Sequence, residues 1–216
     1  DDELDPGELA RRAVFVERTK LALPGGLQDA YAAAFGGVNY IRFEGDDVAV
    51  EPLDLDDAVV AELEERMLLL PVPSAGRRSE PLIRRQTDAY HRRVDDVLAA
   101  LAAMRAHAGE AKATLLRGDL GALAGVLDRT WALKRTLAPG IATPAVDDLY
   151  RHARRHGALG GKLLGAGGGG HFLVVAAPGN VPTLIDAMRR EGVEPLRVSL
   201  SKRGASARRE AVSPVS

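Results

Sequence analysis

Four consecutive glycines, Gly167–Gly170, follow Gly165 and Ala166 in the stretch GALGGKLLGAGGGGHFLVVAA, residues 157–177, and a lysine, Lys162, stands just upstream. Glycine gives up more backbone freedom on folding than any other residue, so a dense cluster implies a compensating use. That use is either a turn with positive φ or backbone that lies close against a ligand or another loop. Residues 165–170 satisfy G-x-G-x-x-G, but the dinucleotide fingerprint needs a strand before the glycines and a helix after them. Here the segment upstream reads as helical and His171–Val175 reads as a strand, so the order is reversed and that reading is excluded. A Walker-type phosphate loop is excluded too: Leu163 stands where the Mg²⁺-binding Ser or Thr belongs, and the first glycine is missing. His171 has no second His, Asp or Glu at metal-ligand spacing, so its expected role is structural and no metal site is expected in the chain. Gly165, Gly167, Gly168, Gly169 and Gly170 are left as a loop built for close approach. Lys162 can meet a phosphate or an aspartate there, or it is a solvated lysine before a turn.

The elements that must position this loop follow from periodicity and breakers. Pro6 opens a helix with Leu9, Ala13, Val16 and Leu21 on one stripe, ended by Pro24-Gly25-Gly26. A second helical piece runs from Leu27 to Phe35 and stops at Gly36-Gly37. Val38–Phe43 and Val48–Leu53 alternate around Gly45-Asp46-Asp47 as a hairpin. A short acidic helix precedes a buried strand at Arg66–Val72, and 73–79 is a loop. From Pro81 to Leu137 the pattern is helical, divided at Gly109 and Gly118-Asp119 into three helices. Thr143-Pro144 starts a further helix that ends near Gly157. A strand (171–177), a helix (181–191) and a strand (194–200) follow, and residues 201–216 read as a basic, frayed tail. The fold class expected is α+β, with helices packed on an antiparallel sheet.

Composition narrows the function classes. The 216 residues include 46% hydrophobic but only 4% aromatic residues, so Leu, Val and Ala must fill the core. A formal net charge of −1 gives no long-range field for polyanions and argues against a nucleic-acid partner. The absence of cysteine excludes disulfides, thiolate catalysis and cysteine-held metals, and fits a reducing, cytoplasmic setting. No apolar run reaches membrane-spanning length, so no membrane partner is expected. The chain opens Asp1-Asp2-Glu3-Leu4-Asp5-Pro6 without an initiator methionine and reads as the later part of a longer protein.

GALGGKLLGAGGGG resembles the third, C-terminal glycine-rich motif of the GHMP kinases, the family of galactokinase, homoserine kinase, mevalonate kinase and phosphomevalonate kinase. Gly26-Leu27-Gln28-Asp29-Ala30-Tyr31, followed by Phe35-Gly36-Gly37, resembles the segment that carries the catalytic aspartate of the sugar kinases. Trp131-Ala132-Leu133-Lys134-Arg135, with Gly140-Ile141-Ala142-Thr143-Pro144 and Leu164, points to the D-glycero-D-manno-heptose 7-phosphate kinase subgroup. The resemblance runs from about residue 7 to about residue 200. The family's Pro-x-x-x-Gly-Leu-Gly-Ser-Ser loop, which wraps the ATP phosphates, is absent from this sequence.

The resemblance implies a division into the end of an N-terminal kinase domain (1–53), a C-terminal domain (54–200) and the tail (201–216). It implies an ATP- and Mg²⁺-dependent kinase acting on the anomeric hydroxyl of a heptose 7-phosphate, with the Mg²⁺ ligands in an N-terminal portion outside these residues. Asp29 is then the catalytic base or orienting carboxylate. Arg77 and Arg78 grip the sugar phosphate, with Lys162 as a further substrate contact. The glycines support the phosphate loop or the substrate. Trp131 is a core residue, and Lys134 and Arg135 read as exposed charge. Taken alone, the chain is expected not to turn over ATP and to associate with an N-terminal kinase portion or with a second copy. A non-catalytic sugar-phosphate or partner-binding domain, or a fucokinase- or galactokinase-like sugar kinase, is the alternative.

Overall fold

Asp5 accepts hydrogen bonds from the N–H groups of Gly7 (2.9 Å) and Glu8 (3.2 Å), and this cap with Pro6 in the first turn starts helix α1, Pro6–Val14. The structure is a computed structural model that describes residues 4–72, 80–92 and 94–207. The chain divides into two compact units, one of Asp1–Asp54 with Leu200–Ser216, the other of Leu55–Ser199.

In the first unit α1 continues through a wider π-helical stretch, Phe15–Lys20. Arg18 then donates to the carbonyls of Leu23 (2.9 Å) and Gly26 (2.5 Å), folding the Pro24-Gly25-Gly26 break back on itself. Helix α2, Gln28–Phe35, ends at Gly36, whose φ of 64° reverses the chain. Strands β1 (Asn39–Glu44) and β2 (Asp47–Pro52) form the expected hairpin, paired from Asn39↔Pro52 to Glu44↔Asp47. Ala10, Tyr31 and Ala34 are the buried centre, with Ile41, Val48 and Val50 packed on them.

Residues 201–207 correct the expectation of a free tail beginning at 201. Ala205 N–H donates to Ala33 O (2.8 Å), Gly37 N–H to Ser201 O (2.7 Å) and Leu4 N–H to Ala207 O (3.1 Å). A Cβ at Gly204 would stand 2.0 Å from Ala34 O, so this segment lies against α2 at a distance that only glycine permits.

The second unit contains the antiparallel sheet. Helix α3 (Asp57–Arg66) leads into β3 (Met67–Val72), where alternate residues Leu68, Leu70 and Val72 are buried. Helices α4 (Glu80–His91), α5 (Asp95–Leu116), α6 (Leu120–Lys134) and α7 (Pro144–Arg155) follow. The helical region does hold three helices, but α5 runs straight through Gly109, and the first division falls earlier, α4 ending at His91 and α5 starting at Asp95. One glycine costs a long helix only about 1 kcal/mol, and tertiary packing overrides that.

Strands β4 (Ala158–Leu163) and β5 (Gly170–Ala176), helix α8 (Val181–Arg190) and the two-residue strand β6 (Leu196–Arg197) complete the unit. The order across the sheet is β4-β5-β3-β6, with antiparallel neighbours. Leu68, Leu70, Leu163, Phe172 and Val174 share a core with Trp131, Val146, Leu149, Leu184 and Met188. Burying each such side chain contributes about 1.5–3 kcal/mol. No described helix is long and apolar enough to cross a membrane.

Candidate functional site

The glycine-rich stretch is a β-hairpin. Residues 158–163, expected to lie outside any strand, are β4, because Gly160 and Gly161 let two other chain segments come into contact. A Cβ at Gly160 would stand 2.0 Å from Ala124 O on α6, and one at Gly161 would stand 2.3 Å from Leu173 O on β5. Of the two grounds for excluding the dinucleotide reading, one is corrected and one stands: a strand, not a helix, precedes the glycines, and the strand after them still excludes it.

The loop proper is 164–169, closed by Leu164 N–H donating to His171 O at 3.0 Å. Gly165, Gly167, Gly168 and Gly170 have φ of 63°, 109°, 75° and 99°, a region that disfavours side chains. Two of these glycines also serve close packing. A Cβ at Gly167 would meet Ile141 Cγ2 at 2.9 Å, and one at Gly168 would meet Leu82 Cδ1 at 2.9 Å. At Gly165 and Gly170 a Cβ would meet nothing within 4 Å.

Side chains hold the loop by its carbonyls. Lys134, at the end of α6 and only 8% exposed, donates from Nζ to Leu163 O (2.9 Å) and Gly165 O (2.5 Å). Gln86 on α4 donates to Ala166 O at 3.2 Å, and Gly168 N–H donates to Ile141 O at 2.9 Å. This corrects the expectation that Lys134 is exposed charge. Burial, and then the nearby Lys162 ammonium, pull the Lys134 pKa down to about 8. The sequence carried the signal: Lys134 falls three and four residues after Trp131 and Thr130, on the buried face of α6. Gln86 gave no comparable sign.

Lys162 lies on β4 opposite Leu173, half-buried, and burial lowers its pKa. Lys162 and the glycines therefore belong to one hairpin. Arg135 pairs with Asp147 at 2.7 Å and lies over the Trp131 ring; Trp131 is buried, edge-on to Phe172. His171 is exposed at the start of β5. Asp29 belongs to the other unit, exposed in the first turn of α2, where a carboxylate is favoured by the helix dipole. Arg77 and Arg78 lie outside the described residues. Among the described residues no three His, Cys, Asp or Glu side chains gather as a cation site.

A family model, GHMP kinases C terminal, matches residues 111–195. This chain carries the C-terminal domain of the GHMP kinases. The matched range takes in Lys134, Lys162 and the whole glycine hairpin, and leaves Asp29 outside it. A D-glycero-alpha-D-manno-heptose 7-phosphate kinase of Campylobacter jejuni is 32% identical over 185 residues, 85% of this chain and 54% of that protein. The chain thus spans about half the length of this curated relative. Among GHMP kinase structures, a D-glycero-D-manno-heptose 1-phosphate kinase from Bacteroides thetaiotaomicron superposes with a TM-score of 0.69 at 28% identity, over 97% of this chain and 57% of that one. An L. major mevalonate kinase crystallised with R-mevalonate shares the fold, with a TM-score of 0.72 at 18% identity over 94% of this chain and 60% of that one.

Proposed function

We propose that this chain is part of a sugar-phosphate kinase that transfers the γ-phosphoryl group of ATP to the anomeric hydroxyl of a heptose 7-phosphate. The observation that carries the reading is the 32% identity to a heptose 7-phosphate kinase, which extends over 85% of the chain. Asp29, exposed at the start of α2, is the carboxylate for the acceptor hydroxyl: it takes the proton or orients the O–H as the oxygen attacks phosphorus. Lys162 and the pair Arg77 and Arg78 supply positive charge to the sugar phosphate, and the glycine hairpin shapes the backbone around the transferring phosphate. ATP is the donor, and Mg²⁺ is held by residues outside this chain.

An N-terminal kinase portion completes the enzyme. In the first unit Phe15, Val16, Leu21 and Leu23 are each about half exposed (51%, 48%, 59% and 50%), and this apolar surface suits such a partner.

An ADP-release assay on the longer polypeptide, with heptose 7-phosphate, galactose and fucose as acceptors, tests the reading. Turnover is expected with heptose 7-phosphate and not with the isolated 216-residue chain. In the longer polypeptide Asp29→Asn lowers kcat by about 10²–10⁴-fold with sugar-phosphate affinity nearly intact. Turnover with only galactose or fucose overturns the substrate assignment, and an unchanged kcat in Asp29→Asn removes Asp29 from the chemistry.

A further inference from the structure

Asp29 stands in the first turn of α2, and the two ends of that helix are held differently. The far end is pinned by backbone: Gly37 N–H donates to Ser201 O at 2.7 Å and Ala205 N–H to Ala33 O at 2.8 Å. The near end, beside Asp29, has no side-chain cap, since Leu27 stands at the N-cap position. Burial does not fix it either, because Leu21, Ala22, Leu23, Gly25 and Gly26 are all exposed in this chain. The backbone is nevertheless committed to an uncommon path. Phe15–Lys20 is π-helical, and Ala22 is the one non-glycine residue with positive φ (52°) among the described residues. Such backbone is disfavoured for a side-chain-bearing residue and persists only where its surroundings determine it.

Arg18 supplies that determination. Its Nη1 donates to Leu23 O at 2.9 Å and its Nη2 to Gly26 O at 2.5 Å, so one planar guanidinium spans the turn just before Asp29. Leu23 N–H donates in return to Glu17 O at 2.9 Å, and Glu17 Oε2 lies 3.4 Å from Arg18 Nη2. Gly25 leaves room for the guanidinium. A Cβ there would stand 2.6 Å from Nη2, and Gly25 is not among the glycines with positive φ, so close approach and not conformation is what this glycine serves.

We propose that Arg18 is the positioning residue for Asp29: its guanidinium ties Leu23 O and Gly26 O to the end of the first helix, and this tie sets where α2 begins and so where the Asp29 carboxylate stands. Arg18 acts through Asp29 and not on the substrate. The role rests on Asp29 being the carboxylate of the kinase reading above; the tie itself rests on the geometry. A displacement of about 1 Å in a group that must meet an attacking hydroxyl costs about 10²-fold in rate, and that is the scale of effect a lost tie has. All of these residues lie in the first unit, so this chain suffices to test the tie.

Backbone ¹⁵N relaxation of the 216-residue chain reads the tie without any substrate. In Arg18→Met, order parameters at Gly25, Gly26 and Asp29 are expected to fall from about 0.85 to about 0.6, with α1 and the β1–β2 hairpin unchanged. Gly25→Ala, whose methyl group displaces the guanidinium, gives the same loosening in a chain that keeps Arg18. In the longer polypeptide Arg18→Met lowers kcat about 10- to 100-fold, with KM for heptose 7-phosphate and the melting temperature near the parent's. Because Arg18 acts through Asp29, adding Arg18→Met to Asp29→Asn costs nothing further. A merely structural arginine would add its own loss to that of Asp29→Asn; that result overturns the assignment, as does a parental kcat in Arg18→Met. Unchanged order parameters in Arg18→Met overturn the tie. Loosening in this chain with no turnover by the longer polypeptide sinks the kinase reading and the role of Asp29, and leaves the tie standing.

Discussion

Gly168 donates its N–H to the carbonyl oxygen of Ile141 at 2.9 Å, so at this point the glycine hairpin is fastened by backbone rather than by a side chain. Approach this close is what the glycine cluster makes possible. Some of the glycines serve packing inside the protein, and others leave the loop open.

Gly168→Val and Gly165→Ala separate the two uses. At 168 a side chain meets Leu82 Cδ1 at 2.9 Å and Gly140 O at 3.2 Å, with φ at 75°. Strained backbone and overpacking each cost about 1–3 kcal/mol, so Gly168→Val should lose about 3 kcal/mol in urea unfolding. At 165 the φ of 63° is equally left-handed but the space is empty, and Gly165→Ala should lose only about 1 kcal/mol. Equal losses at the two positions would mean that conformation alone, and not packing, requires glycine there.

The order of helices and strands was legible because periodicity and breakers report local preference. The β1–β2 hairpin, α7 from Thr143-Pro144 and the strand after the glycines all stand where the pattern put them. What misled was a residue whose environment is made by distant chain. Gly160 and Gly161 look like loop and are strand, because Ala124 O and Leu173 O press against them from elements far away in sequence or across the hairpin. Lys134 looks like surface charge and is buried, because its acceptors are carbonyls 29 and 31 residues further on. For the site, residue type singled out the glycines and Lys162. Only the fold shows that a second lysine holds them.

Tyr150 and Asp128 join α7 to α6 with a hydrogen bond of 2.6 Å, beneath which the tyrosine ring stacks on Phe172 at 4.5 Å. Burial first, then the Asp128 carboxylate as partner, push the tyrosine pKa well up. The folded pKa is raised, so this group's stabilisation is complete below the ordinary tyrosine range. It is lost as pH rises from there toward the folded value. Absorbance titration of the chain, which has four tyrosines, should therefore show one component that ionises late, and Tyr150→Phe should remove it. The same variant leaves a half-buried carboxylate without its donor and should cost about 1–2 kcal/mol. A titration curve identical to the parent's would place the late component on another ring.

Lys134 gives a pH dependence of opposite sense. Its pKa in the fold is about 8 against 10.5 for the free side chain, the depression coming from burial and then from Lys162. Between those values the unfolded chain holds more protons on this residue than the folded one, so unfolding free energy from this group rises with pH across that window. Below the folded value both states are protonated, and the cost of burying the charge is carried in full. The fall from 10.5 to about 8 corresponds to about 3 kcal/mol, which is an upper figure for the gain between neutral pH and pH 10. Lys134→Met has no proton to lose there. Urea unfolding of both proteins at pH 7.5 and pH 9.5 should show a steeper rise in the parent, by about 1–2 kcal/mol after partial titration. Lys162 is present in both proteins, but its repulsion with Lys134 is mutual, so the difference between the two slopes reports the lysine pair rather than Lys134 by itself. Parallel slopes would mean that Lys134 is not held against the hairpin in solution, and its two carbonyl bonds would then not be what orients the loop.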